Sequence, residues 1–339
     1  MTVNTTRANG VTLVTVTYGE RLHLLLQALA SGFDQGIARA IVVNNGAGAA
    51  IADRCRAAFG ERVSVVEHAR NLGSAPGFRA GIAAACAASA GFILLLDDDN
   101  RLEPGGVDAL LAAWHAASAE HPARPVAVVG FRPENQVDIS AGRAREVLHP
   151  NAFFGFHVKH LPRKVWSRLR RRWPAARARP VVGLGVLDVA PYSGMLFDAG
   201  LIDTIGLPDA DFVLYADDTE FSYRITRRGG LLLVVTAARI SDIEASWNVK
   251  SRNDSALMAW LAGGSDLSAF YAARNRACFE RHEVAHLRWL RGLNRCVFLL
   301  AMRLLAGRID RMARYRLFRA AVVDGEARRL GVKHGFELA

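Results

Sequence analysis

The first hundred residues alternate two kinds of pattern, and that alternation constrains the fold more than any other feature. Val11 to Thr17 (VTLVTVT) is a β-branched run that reads as a buried strand. Arg21 to Ser31 follows with Leu22, Leu25, Leu26 and Leu29 at helical spacing. Ala40 to Val43 is a second strand, stopped by the turn signal Asn44-Asn45-Gly46. Ile51 to Phe59 is helical, Val63 to Glu67 is a third strand, and Pro76 to Ala90 is an Ala-rich helix opening after Gly73. Phe92 to Leu96 is a fourth strand, continuously apolar, and it runs straight into Asp97-Asp98-Asp99. Strands separated by helices pair in parallel, so the series predicts an α/β, Rossmann-like sheet with helices on both faces. Ligands of such sheets bind beyond the carboxyl ends of the strands. Three of those ends are polar here: Thr17-Tyr18-Gly19-Glu20, Asn44-Asn45-Gly46 and Asp97-Asp98-Asp99-Asn100. Topology alone directs them to one crevice.

Three adjacent carboxylates at the end of an apolar strand repel one another, and a cation relieves the repulsion. Oxygen-only ligation suits Mg²⁺ or Mn²⁺, which use one or two carboxylates plus substrate phosphates. Alternation along an extended chain puts Asp97 and Asp99 on one side. That assigns Asp99 to the metal and Asp97 to the metal or the nucleotide, against the plainer alternative of a solvated acidic turn. A second acidic cluster, Asp217-Asp218-Thr219-Glu220, opens a segment in which Phe221 and Ile225 share a helical face. Asp217 or Glu220 can pair with Arg224 there. A carboxylate so placed can accept the proton of an attacking hydroxyl, or the motif is simply a capped helix. Asn71-Leu72-Gly73-Ser74-Ala75-Pro76-Gly77-Phe78-Arg79 is a Gly-rich loop entering a helix. Backbone N–H groups and Arg79 suit phosphate, although the glycines equally suit tight packing. The spacing is neither Walker A nor the dinucleotide fingerprint.

Taken in order, these pieces resemble the inverting family-two glycosyltransferases of the GT-A fold. The carriers are Thr-Tyr-Gly-Glu, Val-Val-Asn-Asn-Gly, Asn-Leu-Gly-x-x-x-Gly-Phe-x-x-Gly, Leu-Leu-Asp-Asp-Asp, Tyr-x-Asp-Asp-Thr-Glu-Phe-x-x-Arg, and Ala272-Ala273-Arg274-Asn275 after Phe270-Tyr271. The resemblance spans roughly residues 10–280. It implies that Thr17, Glu20 and Asn45 lie by the base and ribose of a nucleoside-diphosphate sugar, with Asn71, Arg79, Asp97 and Asp98 also on the donor. It implies that Asp97 and Asp99 hold Mn²⁺ or Mg²⁺, that Asp218 or Asp217 is the base, and that Glu220 belongs to the acceptor side. The triple Asp with Asp-Asp-Thr-Glu-Phe is most similar to the galactofuranosyl- and rhamnosyl-transferase branch. The sequence departs from the family at Asn44, where Asp is usual. It also departs at Ile240-Ser241-Asp242-Ile243, where many members place a metal-binding His and Asp242 is the expected replacement. Trp247 is near enough in sequence to stack on an acceptor sugar, or is a core Trp.

Residues 1–255 therefore read as the catalytic domain: a nucleotide-sugar half over 1–130, a basic insertion over 151–180 and an acceptor half over 180–255. Residues 256–339 read as a helical extension. The net charge of +11 calls for an anionic partner. Two segments concentrate it: 159–179, with nine Lys and Arg around Trp166 and Trp173, and 288–319, where Arg288, Arg291, Arg295, Arg303 and Arg308 alternate with Trp289, Leu299, Leu300 and Leu304. Arginine beside large apolar residues describes an interfacial helix, so both segments are expected on an anionic membrane surface, near a lipid-linked saccharide acceptor. A face packed on the catalytic domain or on a twin subunit is the other reading. Cys55, Cys86, Cys278 and Cys296 make no C-x-x-C pair, which suits a reducing compartment. With no apolar leader or spanning run, the expected location is the cytoplasm, on the inner face of the cell membrane. Two rivals remain at this level: a nucleic-acid-binding protein, which leaves the acidic clusters unused, and a metal-dependent nucleotidyltransferase, which lacks its basic Gly-rich loop after the first strand.

Overall fold

A computed structural model describes residues 10–133, 136–161, 183–243 and 256–338. The strands are β1 (Val11–Thr17), β2 (Arg39–Asn45), β3 (Val63–His68), β4 (Phe92–Leu95), β5 (Asn100–Leu102), β6 (Val126–Phe131), β7 (Arg145–Glu146), β8 (Leu184–Leu187), β9 (Met195–Asp198) and β10 (Leu231–Asp242). Between them run α1 (Leu22–Phe33), α2 (Ala50–Phe59), α3 (Ser74–Ala87), α4 (Gly106–Glu120), α5 (Val137–Ser140), α6 (Leu201–Ile205) and α7 (Asp217–Arg227). The chain continues in α8 (Ala256–Ala262), α9 (Asp266–Phe279), α10 (Arg288–Arg308) and α11 (Met312–Glu326).

One sheet carries the order β3-β2-β1-β4-β9-β6-β10-β8-β7. The predicted α/β architecture, mostly parallel and flanked by helices, is what forms. β1 pairs β2 and β4 in parallel, β2 pairs β3, and β6 pairs β10. β9 enters antiparallel between β4 and β6, which aligns β6 and β10 with the first four strands. The carboxyl ends of β1, β2, β4, β6 and β10 therefore share one rim. The inner strands are buried on both faces, one covered by Leu25, Leu29, Leu110 and Leu111 of α1 and α4, the other by Phe78, Ile82, Phe221 and Ile225 of α3 and α7. Gly77 and Gly81 bring α3 onto β1: a Cβ on either would come within 2.7 Å of Val16 or 2.5 Å of Val14.

β10 is longer than the Leu231–Thr236 strand its apolar run predicts. It shifts register between Val235 and Arg239 and continues to Asp242, pairing antiparallel with β5. The Ala-rich stretch in the middle carries no strand signature, and the bulge re-aims the strand end across the sheet rim. The C-terminal helices close a separate core around Phe153, Phe154, Phe298, Met302 and Phe318.

Candidate active site at the sheet rim

β4 delivers Asp97, Asp98 and Asp99 to the rim, where Arg21 meets two of them and Arg132 acts on Asp97 through its charge. Arg21, opening α1, places its Nη2 2.6 Å from Asp99 Oδ2 and 3.2 Å from Asp98 Oδ1. Its Nη1 donates to the Tyr18 hydroxyl at 2.8 Å. Burial works against its charge, but Asp98, Tyr18 and Asp99 hold Arg21 protonated. Arg132, just past β6, donates to Asp242 Oδ1 at 2.6 Å, and Asn100 Nδ2 donates to the same oxygen at 3.0 Å. The register puts Asp242 opposite Asn100, and Ile243 N–H donates to Asp99 C=O at 2.7 Å. The long β10 thus brings Asp242 beside the triple aspartate from 142 residues away. Ser193 completes the frame: its hydroxyl donates to Asn100 Oδ1 at 2.5 Å and accepts from Asp97 N–H at 3.3 Å.

The arginines do not neutralise the site. Burial and the neighbouring Asp99 push half-buried Asp97 up to about 7, against the pull of Arg132. Burial pushes Asp98 up to about 7, against the pull of Arg21. Thr17, buried at the end of β1, has its hydroxyl close enough to favour the charged form of Asp98 without a fully formed hydrogen bond. Asp98 Oδ2 is buried with no partner at all. An orphaned carboxylate oxygen among three acids is a donor set that suits a hard divalent cation. Among the described residues, however, no group of three acidic, His or Cys side chains is placed to hold an ion by itself. A cation held here would need ligands beyond these side chains.

The second cluster lies against the first. α7 begins at Asp217 itself, after a backbone whose residues Val213, Tyr215 and Ala216 all have positive φ. Asp217 is buried and accepts from the Ser74 hydroxyl at 2.8 Å. Asp218 receives the Thr219 N–H at 2.6 Å and the Thr219 hydroxyl at 3.2 Å, both on Oδ1. Burial, then mutual repulsion, raises Asp217, and burial raises Asp218. Asp97 feels the charge of Asp218, and Asp217 that of Asp97, so the two clusters share one electrostatic environment.

Other predicted residues take positions the sequence did not disclose. Asn45 is buried and saturated: its amide donates to Asn71 Oδ1 and Gly73 C=O, and its oxygen accepts from Leu72 N–H and faces His68. It fastens the end of β2 to the loop before α3. That loop in turn touches the second cluster: Ala75 N–H donates to Val213 C=O, and a Cβ on Gly73 would stand 2.1 Å from that oxygen. With φ at +97°, only glycine is comfortable there. Arg79 is exposed and donates to Pro208 C=O at 2.9 Å. Glu20 is exposed beyond β1. Glu220 gives both oxygens to Arg224, at 2.7 and 2.5 Å, and Arg224 also holds the Ile205 and Leu207 carbonyls. Trp247, and the basic insertion beyond residue 161, fall outside the described residues.

Sequence reasoning missed Arg21, Arg132, Ser193 and Tyr192. The Tyr192 hydroxyl is buried without a partner, and burial together with Asp217 and Asp218 raises it well above 10. It also gave no role to Arg274 and Asn275, which hold the strained backbone before α7. Asn275 Nδ2 donates to the Phe212, Leu214 and Tyr215 carbonyls at 2.6, 2.8 and 2.9 Å, and Arg274 reaches Phe212 C=O and Gly331 C=O.

Residues 12–165 match the family Glycosyl transferase family 2. The matched stretch contains the Asp97–Asp99 cluster and ends before Asp217. No curated protein matches the sequence. Among solved structures, mannosyltransferase PcManGT from Pyrobaculum calidifontis, in complex with GDP-Man and Mn²⁺, superposes with a TM-score of 0.50 at 13% identity, over 95% of this chain and 88% of that one. S. aureus TarS 1–349 in complex with UDP-GlcNAc gives 0.47 at 12% identity, over 85% and 71%. GalNAc-T7 with UDP, GalNAc and Mn²⁺ gives 0.47 at 13%, over 78% of this chain, which spans only 47% of that protein's length. At such identities the PcManGT likeness is one of fold.

Proposed function

We propose that this chain is a glycosyltransferase that moves a sugar from a nucleoside-diphosphate donor to a hydroxyl of a saccharide or lipid-linked saccharide. The observation that carries the reading is the juxtaposition of Asp97–Asp99 with Asp217–Asp218 at the carboxyl rim of a sheet of this family's type. The first cluster suits a donor diphosphate bridged by Mn²⁺ or Mg²⁺, and the second supplies a base. A divalent cation bound at Asp97 and Asp99 would neutralise charge on the departing diphosphate. Asp242, held by Arg132 and Asn100, would border that cation.

Asp218 is the better base of the pair. Asp217 is buried and accepts from Ser74, whereas Asp218 is half-buried and its hydrogen bonds with Thr219 fall on Oδ1, so its Oδ2 is the more open to an acceptor hydroxyl. Asp218 takes the hydroxyl proton as the oxygen bonds to the anomeric carbon, and the bond from that carbon to the diphosphate breaks on the opposite face. Burial raises the affinity of Asp218 for protons, which favours this transfer. One such displacement inverts the anomeric centre. The triple Asp and Asp-Asp-Thr-Glu-Phe favour galactofuranose or rhamnose carried on UDP or dTDP, added during cell-surface polysaccharide synthesis at the inner face of the membrane.

The test is calorimetric binding of UDP- and dTDP-sugars with and without Mn²⁺, followed by transfer assays on the responding donor. Asp99→Ala is expected to remove Mn²⁺-dependent nucleotide binding. Asp218→Asn is expected to keep that binding and lose roughly 10²- to 10⁴-fold in transfer. No nucleotide binding by the unaltered protein, or equal loss of binding and transfer in Asp218→Asn, would refute the assignment.

A further inference from the structure

α10 has two apolar faces, and only one of them is used. Its buried face carries Phe298, Leu299, Met302 and Ala306, packed on α11 and on Phe153 and Phe154. At 100° per residue, Trp289, Leu293, Cys296, Leu300 and Leu304 fall within one narrow arc on the opposite side. The large members of that arc are exposed: Trp289 by 69%, Leu293 by 46%, Leu300 and Leu304 by 59% each. A solvent-facing helix stripe is ordinarily polar, and among the described residues nothing covers this one.

Charge decides what covers it. Arg303 and Arg308 border the stripe, and Arg288, Arg311, Arg316 and Arg319 are exposed on the same helical hairpin. None of these six has an acidic partner within ion-pair distance among the described residues. Between Ala285 and Val323 the only acid is Asp310. The arginines that do pair lie inward: Arg291 and Arg295 meet Glu326, and Arg314 meets Asp266. A second copy docked on this stripe would set arginine against arginine with almost no acid between them. A bilayer rich in anionic phospholipid supplies both a medium for Trp289 and the leucines and a counter-charge for the guanidinium groups.

We propose that the Trp289–Leu304 face of α10 is a docking surface for an anionic lipid bilayer, with the helix lying in the plane of the interface. This surface follows from exposure and charge, independently of the glycosyltransferase reading. Co-sedimentation of the full chain with phosphatidylcholine vesicles, with and without phosphatidylglycerol, tests it. The unaltered protein is expected to bind the anionic vesicles, weakly bind the neutral ones, and release with added salt. Leu300→Ser/Leu304→Ser and, separately, Arg303→Glu/Arg308→Glu are each expected to weaken binding about tenfold or more. All four positions are exposed, and circular dichroism checks that both variants stay folded. Failure to bind anionic vesicles, or unchanged binding by Leu300→Ser/Leu304→Ser, would overturn the proposal. So would sedimentation velocity showing a dimer that the leucine substitutions dissociate.

Discussion

At the scale of single residues, the site is defined by carboxylates that hold protons too tightly. Asp97 and Asp98 rise from an ordinary 3.8 to about 7, chiefly because they are buried. The folded protein therefore binds their protons more firmly than the unfolded chain does. Their contribution to stability is complete below about pH 4 and is lost as pH rises through about 7. Between about pH 5 and 8 the metal-free protein is expected to melt at progressively lower temperature, the reverse of a carboxylate held low by a salt bridge. Mn²⁺ favours the charged form and should flatten that slope. Thermal melts across this range in EDTA and in Mn²⁺ check both statements, and a melting temperature that climbs with pH in EDTA would contradict them. The acids themselves were legible, because three aspartates ending an apolar strand have few structural uses. Their counter-ions were not. Arg21 meets Asp99 across 78 residues and Arg132 meets Asp242 across 110, and a lone arginine in a loop carries no periodic signal.

At the scale of elements, the segment leading into α7 explains how the proposed base is aimed. Three non-glycine residues with positive φ cost free energy, of order 1–3 kcal/mol each, and persist only when their surroundings fix them. Asn275 does much of that by binding three carbonyls with one amide. Asn275→Ala leaves those carbonyls short of a donor and is expected to lower stability by about 1–3 kcal/mol. It should reduce kcat more than donor affinity, since Asp218 moves and Asp97–Asp99 do not. Urea denaturation and steady-state kinetics read the two effects separately; a change in donor affinity alone would argue against this positioning role. The first four strands and the first three helices were readable to within a few residues, because their apolar patterns are clear, whereas β6 was not read. The register shift in β10 was not, since Ala237 and Ala238, which favour helix over strand, interrupt its strand pattern there.

At the scale of the whole molecule, the C-terminal helices are part of one packed structure. Tyr271 donates to Phe336 C=O, Gly331 N–H donates to Asp211 C=O, and α9 packs along α11 against Gly325. Removing 288–339 would strip the cover from Phe153, Phe154 and Phe270 and remove the contacts of Gly331 with Asp211 and Arg274. Such a truncation is expected to be insoluble or to lack a cooperative thermal transition; a soluble product melting like the full chain would disprove the interlock. Helical periodicity alone announced these helices, but it could not say which of their two apolar faces meets the protein. That is decided by contacts with 151–158, such as Asn294 binding the Asn151 carbonyl, which no local pattern encodes.

The contact between Gly73 and the Val213 carbonyl has a consequence for anyone building hybrids from proteins of this fold. Two stretches 140 positions apart meet backbone to backbone, with no side chain between them to absorb a mismatch. Grafting a foreign segment in place of the one that carries Val213 would succeed only where the incoming loop follows the same path past that glycine. The natural seam for an exchange lies elsewhere, at junctions where long, adaptable side chains can settle differences.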